Sequence, residues 1–266
     1  MVAFFLIIMS FLSIATINVN GLRSDFKRHV FMDYLERSKY SLIFLQETHS
    51  DPEDVSRWEQ HWKGKMYFSH GTRNSRGVAI ITSYKSGLEV NNISTDSEGR
   101  FIKGEIKWDN STLSVASVYA PNDVNARINF FNDLCERIDI DNHIVGGDFN
   151  CHLDNEGRDG SKTILKNILN EKDLIDVWHS LHPIDKGYTH HHRGNHKLGR
   201  IDYLLASSNI LNSIIDANVC PNGLSDHHTL SMKINNPEVV HGQGRWICNN
   251  SLLNDEDCIF RIQHFW

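Results

Sequence analysis

Short runs of apolar residues alternate with amphipathic segments along the first 236 residues of the chain. A run of roughly four to eight apolar or alternating residues, bounded by turn formers, is typical of a β-strand. The strand-like runs are Leu12–Asn18, Ser41–Gln46, Gly77–Thr82, Phe101–Trp108, Thr112–Tyr119, His143–Gly146, Arg200–Ala206 and Thr229–Ile234. The pattern therefore predicts strands distributed over the whole of this region.

Other segments have apolar residues three or four positions apart, which is the spacing of a helix. They are Phe26, Val30 and Tyr34, then Phe130, Leu134 and Ile138, then Ile164, Leu165, Ile168 and Leu169. Several strands follow one another with no helix between them, which argues against an all-parallel, doubly wound sheet. We expect an α/β fold with two packed mixed β-sheets flanked by helices.

The N-terminal segment Val2–Ile17 is almost wholly apolar. It is shorter than the ~20 residues that cross a bilayer, and it lacks the basic residues that begin a secretory signal. Cleavage near Ala15 would also destroy the predicted strand Leu12–Asn18. We therefore predict a short apolar leader followed by a buried strand, with a signal sequence as the alternative, and no contact with a membrane.

The hydrophobic pattern changes after Asn236. Periodicity fades through Pro237 and the glycines of 242–244, and a short run of mixed character, Trp246–Trp266, closes the sequence. We interpret 1–236 as one domain and 237–266 as a linker or tail.

Charge alone does not favour a nucleic-acid partner. The chain has 27 basic and 33 acidic residues, a formal net charge of −6, whereas domains that bind nucleic acid through bulk charge lean basic. A metal-dependent nuclease escapes this argument because it concentrates carboxylates at its metal and keeps its basic residues local. The cysteines are 5 in number, scattered and without a C-x-x-C spacing, which indicates a reduced, intracellular protein without structural disulfides or zinc.

Polar residues recur at the ends of the predicted strands. Asn18 ends the first strand, Glu47 follows the second, and Asp148 follows the run Ile144–Gly147. Each alone is more often a turn former or a helix cap. Strand ends meet at one edge of a sheet, however, and carboxylates gathered there repel one another unless a cation lies between them. Such hard oxygen ligands favour Mg²⁺ or Ca²⁺.

Six short motifs in a fixed order make the sequence recognisable. They are INVNGL at 17–22, LQETH at 45–49, SVYAPN at 117–122, GGDFN at 146–150, RIDY at 200–203 and LSDH at 224–227. Together they resemble the motif series of the endonuclease/exonuclease/phosphatase superfamily, over about residues 12–234. The QETH form of the second motif and Asp176 resemble the branch found in LINE-type retrotransposons. The tail sequence WICNNSLLN at 246–254 resembles the segment that leads to a reverse transcriptase, a domain these residues do not include.

The resemblance implies a deoxyribonuclease I-like fold, a four-layer αββα sandwich, and a set of metal ligands. Glu47 would be the principal ligand of Mg²⁺, with Mn²⁺ as an alternative. Asn18 and Asp226 would lie in or beside the coordination shell. DNA-repair members of the superfamily carry an aspartate where this chain has Asn20. This departure matches the retrotransposon branch and argues against repair of abasic sites.

The resemblance also implies catalytic roles. Asp148 would orient and deprotonate the attacking water, held in place by Asn150. Asp202 would bond His227, favouring the charged ring that holds the scissile phosphate. Tyr119 would hydrogen-bond the phosphate or the leaving oxygen.

Residues that contact DNA form the next layer of the implied site. Asn122 and Thr189 would touch the backbone, and Arg23, Lys27 and Arg28 flank the first motif, where the alternative for each is a solvated surface charge. The segment 190–199 would form a hairpin that probes a groove of the target, with Arg193 and Lys197 contacting shape and phosphate more than base identity. Its histidines offer an alternative, a transition-metal site.

The resulting hypothesis is a Mg²⁺-dependent endonuclease that nicks double-stranded DNA and leaves a 3′-hydroxyl. We expect it to act as a monomer in the nucleus or cytoplasm. One alternative is an inactive retrotransposon remnant that at most binds DNA. Another is a different phosphoesterase of the same fold, such as an abasic-site endonuclease, a sphingomyelinase or an inositol-phosphate phosphatase, since fold alone does not determine function.

Overall fold

The computed structural model of the chain describes residues 11–108, 111–154, 159–191 and 198–235. Its strands are β1 Phe11–Asn18, β2 Leu42–Gln46, β3 Lys65–Ser69, β4 Val78–Thr82, β5 Val90–Thr95, β6 Phe101–Trp108, β7 Ser111–Tyr119, β8 His143–Asp148, β9 Leu174–Asp176, β10 His190–His191, β11 Leu198–Gly199, β12 Asp202–Ser207, β13 Ile214–Cys220 and β14 Thr229–Asn235. The α-helices are α1 Asp25–Ser38, α2 Val55–Glu59, α3 Val124–Arg137, α4 Gly160–Glu171 and α5 Val177–Leu181. Short 3₁₀ turns cover Pro52–Asp54, Tyr84–Ser86 and Ser208–Ser213.

The strands form two six-stranded sheets and one small hairpin. The first sheet has the order β13-β14-β1-β2-β4-β3, and the second has the order β5-β6-β7-β8-β12-β9. β1 pairs parallel with β2, and β7 pairs parallel with β8, while the other neighbours are antiparallel. The expectation of two mixed sheets is therefore confirmed.

Alternation along the inner strands builds three apolar layers, because successive side chains point to opposite faces. In β1, Leu12 and Ile14 join the core between the sheets, while Ala15 and Ile17 face α1 and α2 on the outside of the first sheet. The outer face of the second sheet packs against α3 and α4 in the same way. The order of layers is helix, sheet, sheet, helix, which confirms the four-layer αββα sandwich.

Helix α1 begins at the cap residue Ser24, whose side chain accepts from the Lys27 N–H. The spacing of Phe26, Val30 and Tyr34 predicted the helix but not its buried face. The residues that α1 buries in the outer core are Phe31, Met32 and Leu35, whereas Phe26 is 78% exposed. The predicted helix is therefore confirmed, and the residues that face the sheet are offset by about one position from the spacing that indicated it, with Tyr34 packed at the edge of the same core.

None of the helices in the described ranges is long and apolar enough to cross a membrane. Strand β1 lies between β14 and β2, and its residues after Phe11 are buried. Residues 1–10 and 236–266 lie outside the described ranges, so the predicted leader and the boundary at Asn236 stay predictions.

Candidate active site

A cleft of about 400 Å³ opens at the edge of the sandwich where β1, β2 and β8 end. Pairing explains the convergence: β1 runs parallel to β2 and β7 parallel to β8, so their carboxyl ends meet at the same edge. The cleft is lined by Asn18, Asn20, Glu47, Asn122, Asp148, Asn150, His190, Ile201, Asp226 and His227. The structure thus gathers residues from all six sequence motifs, and Asp202, next to Ile201 in the RIDY motif, pairs directly with Asp148 across β8 and β12.

Asn18 joins the two sheets at the floor of this cleft. Its side chain is 1% exposed, and Nδ2 donates to Glu47 Oε1 at 3.0 Å and to Asp148 Oδ2 at 2.9 Å. Its Oδ1 accepts from the backbone N–H of Asn20 at 3.0 Å. Asn18 therefore places a donor between two carboxylates that would otherwise repel each other. The predicted role of Asn18 as a metal ligand stays a prediction.

Glu47 lies just past β2 with a positive φ of 52°, which is uncommon for a residue other than glycine. Backbone bonds hold it there: the Gly21 N–H donates to the Glu47 carbonyl at 2.8 Å, and the Thr48 N–H donates to the Gly77 carbonyl at 3.0 Å. Burial raises the pKa of the Glu47 carboxyl, but hydrogen bonds from His49, Asn18 and Tyr119 outweigh burial and bring it to about 2. Glu47 is ionised at neutral pH.

Asp202 and His227 form a buried pair beside Asp148. His227 Nδ1 lies 2.9 Å from Asp202 Oδ2 and 3.1 Å from Oδ1, and the two residues are 6% and 0% exposed. Burial lowers the pKa of His227, but the charges of Asp202 and Asp148 outweigh it and raise the pKa to about 10. The ring is therefore an imidazolium, and its Nε2 lies 3.9 Å from Asp148 Oδ2.

Asp148 is a buried carboxyl at the end of β8. It is 1% exposed, and burial and the charge of Asp202 raise its pKa above the ordinary value. The backbone N–H of Asn150 donates to Asp148 Oδ1 at 2.9 Å, while the Asn150 side chain donates to the Ala120 carbonyl at 2.9 Å. Asn150 thus holds Asp148 through its backbone, and its side chain fixes the turn.

Tyr119 is 7% exposed and ends β7 opposite Asp148 in the sheet register. Burial and the charge of Glu47 raise the pKa of its phenol far above the ordinary value, so the hydroxyl remains a donor. The Arg100 guanidinium lies 5.1 Å from the centre of the ring and donates to the Tyr119 carbonyl at 3.2 Å. Sequence reasoning missed Arg100, because its proximity to Tyr119 depends on the pairing of β6 with β7.

Two sets of residues in the cleft could hold a cation. Single ligand atoms of Asp148, Asp202 and His227 lie within 4.8 Å of one another, but His227 Nδ1 is already hydrogen-bonded to Asp202 Oδ2 at 2.9 Å. This trio is therefore a hydrogen-bonded network, and we do not assign it as a metal site. Ionised Glu47 and Asp226, which accepts from Asn20 Nδ2 at 3.0 Å and 3.2 Å, offer hard oxygen donors. That donor set fits Mg²⁺ or a similar divalent cation.

The structure separates the predicted DNA-contacting residues into groups. Asn122 lines the cleft, and Arg23 is exposed after the first motif. Lys27 and Arg28 instead bind the protein itself: Lys27 Nζ donates to the carbonyls of Val19 and Asn20, and buried Arg28 donates to the Leu22 carbonyl. Both hold the loop after β1 in place.

Thr189 departs from its predicted role. Its side chain is 0% exposed, and its hydroxyl accepts backbone N–H groups from the start of β12. A direct contact between this side chain and DNA is therefore not what the structure shows, because the hydroxyl points into the protein.

The segment after Thr189 has the base of a hairpin. His190 pairs with Gly199, and His191 pairs with Leu198. Arg193 and Lys197 lie outside the described residues, so their contacts with DNA stay predictions. His190 itself lines the cleft, with its ring centre 4.5 Å from that of His227. In the sequence, only the position of His190 directly after Thr189 indicated that it would lie near the cleft.

Comparison with known proteins agrees with the geometry. The model of the endonuclease/exonuclease/phosphatase family matches residues 15–227. An uncharacterized 149 kDa protein of transposon TX1 from Xenopus laevis is 32% identical over 267 residues, which cover 96% of this chain and 20% of that protein. The chain thus spans about one fifth of the length of this relative.

Solved structures share the fold. The AP endonuclease LMAP from Leishmania major is 17% identical with a TM-score of 0.74, and the match covers 86% of this chain and 89% of that chain. The endonuclease domain of TRAS1, a telomere-specific non-LTR retrotransposon, is 15% identical with a TM-score of 0.63, covering 85% and 98%. At these identities the likeness concerns the fold.

Proposed function

Because the chain belongs to the endonuclease/exonuclease/phosphatase family, we propose that it is a divalent-metal-dependent endonuclease that nicks double-stranded DNA and leaves a 3′-hydroxyl. The observation that carries the proposal is the position of His227, which is hydrogen-bonded to buried Asp202 at 2.9 Å and has its Nε2 3.9 Å from Asp148. Ionised Glu47 lies in the same cleft, joined to Asp148 through Asn18. Phosphodiester hydrolysis requires a cationic hydrogen-bond donor, a general base and a carboxylate that binds a metal ion.

Each of the catalytic residues would have a separate role in the reaction. Asp148 accepts a proton from the attacking water, and its raised pKa makes it a better base than an ordinary aspartate. His227 donates through Nε2 to a phosphate oxygen and offsets the charge that develops there. The new bond joins the water oxygen to phosphorus, the bond from phosphorus to the 3′-oxygen breaks, and the departing oxygen takes a proton from solvent to become the 3′-hydroxyl. The Tyr119 hydroxyl is placed to donate a hydrogen bond to the phosphate or the departing oxygen.

The proposed cofactor is Mg²⁺, with Mn²⁺ as a substitute, and Glu47 and Asp226 would hold it. When bound, the cation neutralises charge at the phosphate and stabilises the departing oxygen. The remaining residues in the cleft orient the two carboxylates. Asn18 separates Glu47 from Asp148, and Asn20 donates to Asp226.

The choice of DNA as substrate draws on the relatives. A transposon protein and a retrotransposon endonuclease are among the proteins that this chain resembles, and a nick with a 3′-hydroxyl is an end that a polymerase can extend. The net charge of −6 is compatible with this substrate because the acidic residues of the cleft need a cation before a phosphate can approach.

The decisive test is nicking of supercoiled plasmid DNA by the purified protein in Mg²⁺, with EDTA as the control. We expect Asp148→Ala and His227→Ala each to lower the rate of nicking by ~10²–10⁴-fold. Both variants should remain folded, as measured by their melting temperatures. Near-wild-type nicking by both variants, purified free of contaminating nuclease, rules out this mechanism. Sealing of the nick by a DNA ligase would show the 3′-hydroxyl and 5′-phosphate ends.

A second candidate is cleavage at abasic sites, since the chain shares its fold with an AP endonuclease. The bond from Asn20 to Asp226 favours the first candidate, because an aspartate at position 20 would instead place two carboxylates side by side. Cleavage of an oligonucleotide duplex with one abasic site can be compared with cleavage of the intact duplex. A strong preference for the abasic duplex would reassign the activity.

The remaining alternatives have distinct outcomes in the same assays. Binding of DNA with no nicking in Mg²⁺ or Mn²⁺ would indicate an inactive DNA-binding module. Hydrolysis of sphingomyelin or inositol phosphates in place of plasmid would indicate another phosphoesterase of this fold.

A further inference from the structure

The segment Thr189–His191 lies between the two parts of the chain that carry the Asp202–His227 pair. On one side, the Thr189 N–H donates to the Gly199 carbonyl at 2.9 Å. On the other side, the Thr189 carbonyl accepts from the His228 N–H at 2.6 Å, and the His191 N–H donates to the Asp226 carbonyl at 3.0 Å. This short segment therefore bridges the start of β12 and the loop before β14.

The Thr189 side chain completes the bridge. Its Oγ1 accepts from the backbone N–H of Asp202 at 3.1 Å and from that of Ile201 at 3.2 Å. A hydroxyl oxygen has two lone pairs, so it can accept both bonds. Because Thr189 is 0% exposed, water cannot replace this oxygen without a rearrangement, and its removal would leave two buried N–H groups unpaired.

From this geometry we propose that Thr189 is a positioning residue that sets the separation of Asp202 and His227. One residue bonds the backbone of Asp202 through its side chain and the backbone of His228, adjacent to His227, through its carbonyl. The inference rests on the proposed function, since the Asp202–His227 pair is assigned there to phosphate binding. It replaces the expectation that Thr189 contacts the DNA backbone.

Two substitutions separate the hydroxyl from the shape of the side chain. Thr189→Val keeps the shape and removes the acceptor, whereas Thr189→Ser keeps the acceptor and removes a methyl group. The matched control is Thr82→Val, at the end of β4. Thr82 is 1% exposed, and its hydroxyl also bonds to the backbone, donating to the Leu88 carbonyl at 2.9 Å.

Kinetics of plasmid nicking by the full chain in Mg²⁺ give the first measurement. We expect Thr189→Val to lower kcat by about 10²-fold with KM within about threefold of wild type, because small misplacements of catalytic groups have effects of this size. Thr189→Ser should lie within about threefold of wild type, and Thr82→Val should keep wild-type kcat.

Other kinetic outcomes would overturn the inference. A higher KM with unchanged kcat would show that Thr189 contacts the substrate. Wild-type kcat in Thr189→Val would show that the two bonds do not position the pair. An equal loss of kcat in Thr82→Val would show a general effect of destabilisation.

A second measurement does not depend on activity. The Nδ1–H proton of His227, bonded to buried Asp202, should give a low-field resonance in protein labelled with ¹⁵N-histidine, assigned by its absence from His227→Gln. We expect Thr189→Val to shift or broaden this resonance and Thr189→Ser to retain it. An unchanged resonance in Thr189→Val, or none in the wild type, would sink the inference. If the wild type does not nick DNA but this resonance responds as expected, the proposed function fails and the positioning role stands.

Discussion

The two ends of strand β8 each lie beside a buried histidine, and the two rings are in opposite protonation states. His143 begins the strand and is 0% exposed. His227 lies 3.9 Å from Asp148, the last residue of the strand, and is 6% exposed. Burial lowers the pKa of His143 to about 4, whereas the pKa of His227 rises to about 10 despite its burial.

The difference comes from the carboxylates near each ring. Asp139 lies 3.6 Å from His143 Nδ1 and its side chain is 54% exposed, so solvent screens its charge. His143 Nδ1 accepts from the backbone N–H of Asp139 at 3.3 Å, which only a neutral ring can do, and among the described residues its buried Nε2 has no hydrogen-bond partner. Asp202 is fully buried and lies 2.9 Å from His227 Nδ1. Burial alone therefore does not decide the charge of a histidine; the burial of its counter-charge does.

The largest effect should follow from removing that counter-charge. Asp202→Asn keeps the size of the side chain but removes the buried anion that lies 2.9 Å from His227 Nδ1, so the pKa of His227 falls toward that of His143. We expect the rate of plasmid nicking to fall by ~10²–10⁴, because a neutral ring no longer offsets the charge of the phosphate. Single-turnover nicking in Mg²⁺ measures the loss.

The matched control for this change is Asp139→Asn at the other end of β8. Asp139 bonds Lys103 and Ser114 on the surface and has no contact with the cleft in the described part of the chain. Its removal should leave nicking within about twofold of wild type. Equal losses in the two variants would show that the comparison between the ends of β8 is mistaken.

The next effect is on stability against pH. His143 has a pKa of about 4 in the folded protein and about 6.5 in the unfolded chain, so the unfolded chain binds more protons between these values. Its contribution to stability is fully present above about pH 6.5 and is lost as pH falls toward 4, by at most about 3 kcal/mol. His227 has the opposite sign, since a raised pKa contributes stability that is lost as pH rises.

Urea unfolding of wild type and His143→Asn between pH 7.5 and 4.5 tests this contribution. Asparagine does not titrate, and its Oδ1 can take over the bond that His143 Nδ1 accepts from the Asp139 N–H. We expect the free energy of unfolding to depend less on pH in the variant. Parallel curves for the two proteins would show that His143 is not the titrating group.

The sequence predicted the inner strands of both sheets and none of the edges. The predicted strands correspond to β1, β2, β4 and β14 in the first sheet and to β6, β7, β8 and β12 in the second. The edge strands β3, β5, β9 and β13 were missed. An edge strand such as β5, with Val90 buried and the residues after it exposed, lacks the apolar run that marks a strand packed on both faces.

The candidate site shows a similar division. Glu47, Asp148 and His227 could be located because each lies in a motif at a strand end, where local sequence fixes the backbone. The buried placements of Thr189 and Arg28 could not, because they depend on segments that are distant along the chain. The residues next to Thr189 in the sequence would be the same whether its side chain were exposed or hydrogen-bonded to the backbone of Asp202.

The smallest predicted effect is on the choice of target site in DNA. Here the comparison is between a surface segment beside the cleft and an exposed turn away from it. His190, which lines the cleft, pairs with Gly199, and Arg193 and Lys197, between them in the sequence, are proposed to contact phosphate and groove shape. Replacing residues 192–197 with a short polar turn should change the positions of nicks on a plasmid while leaving the overall rate within about tenfold. Replacing the exposed turn that contains Tyr84, away from the cleft, should leave the positions unchanged. Mapping nicks by primer extension measures both, and an unaltered map in the hairpin variant would show that target choice lies elsewhere in the cleft.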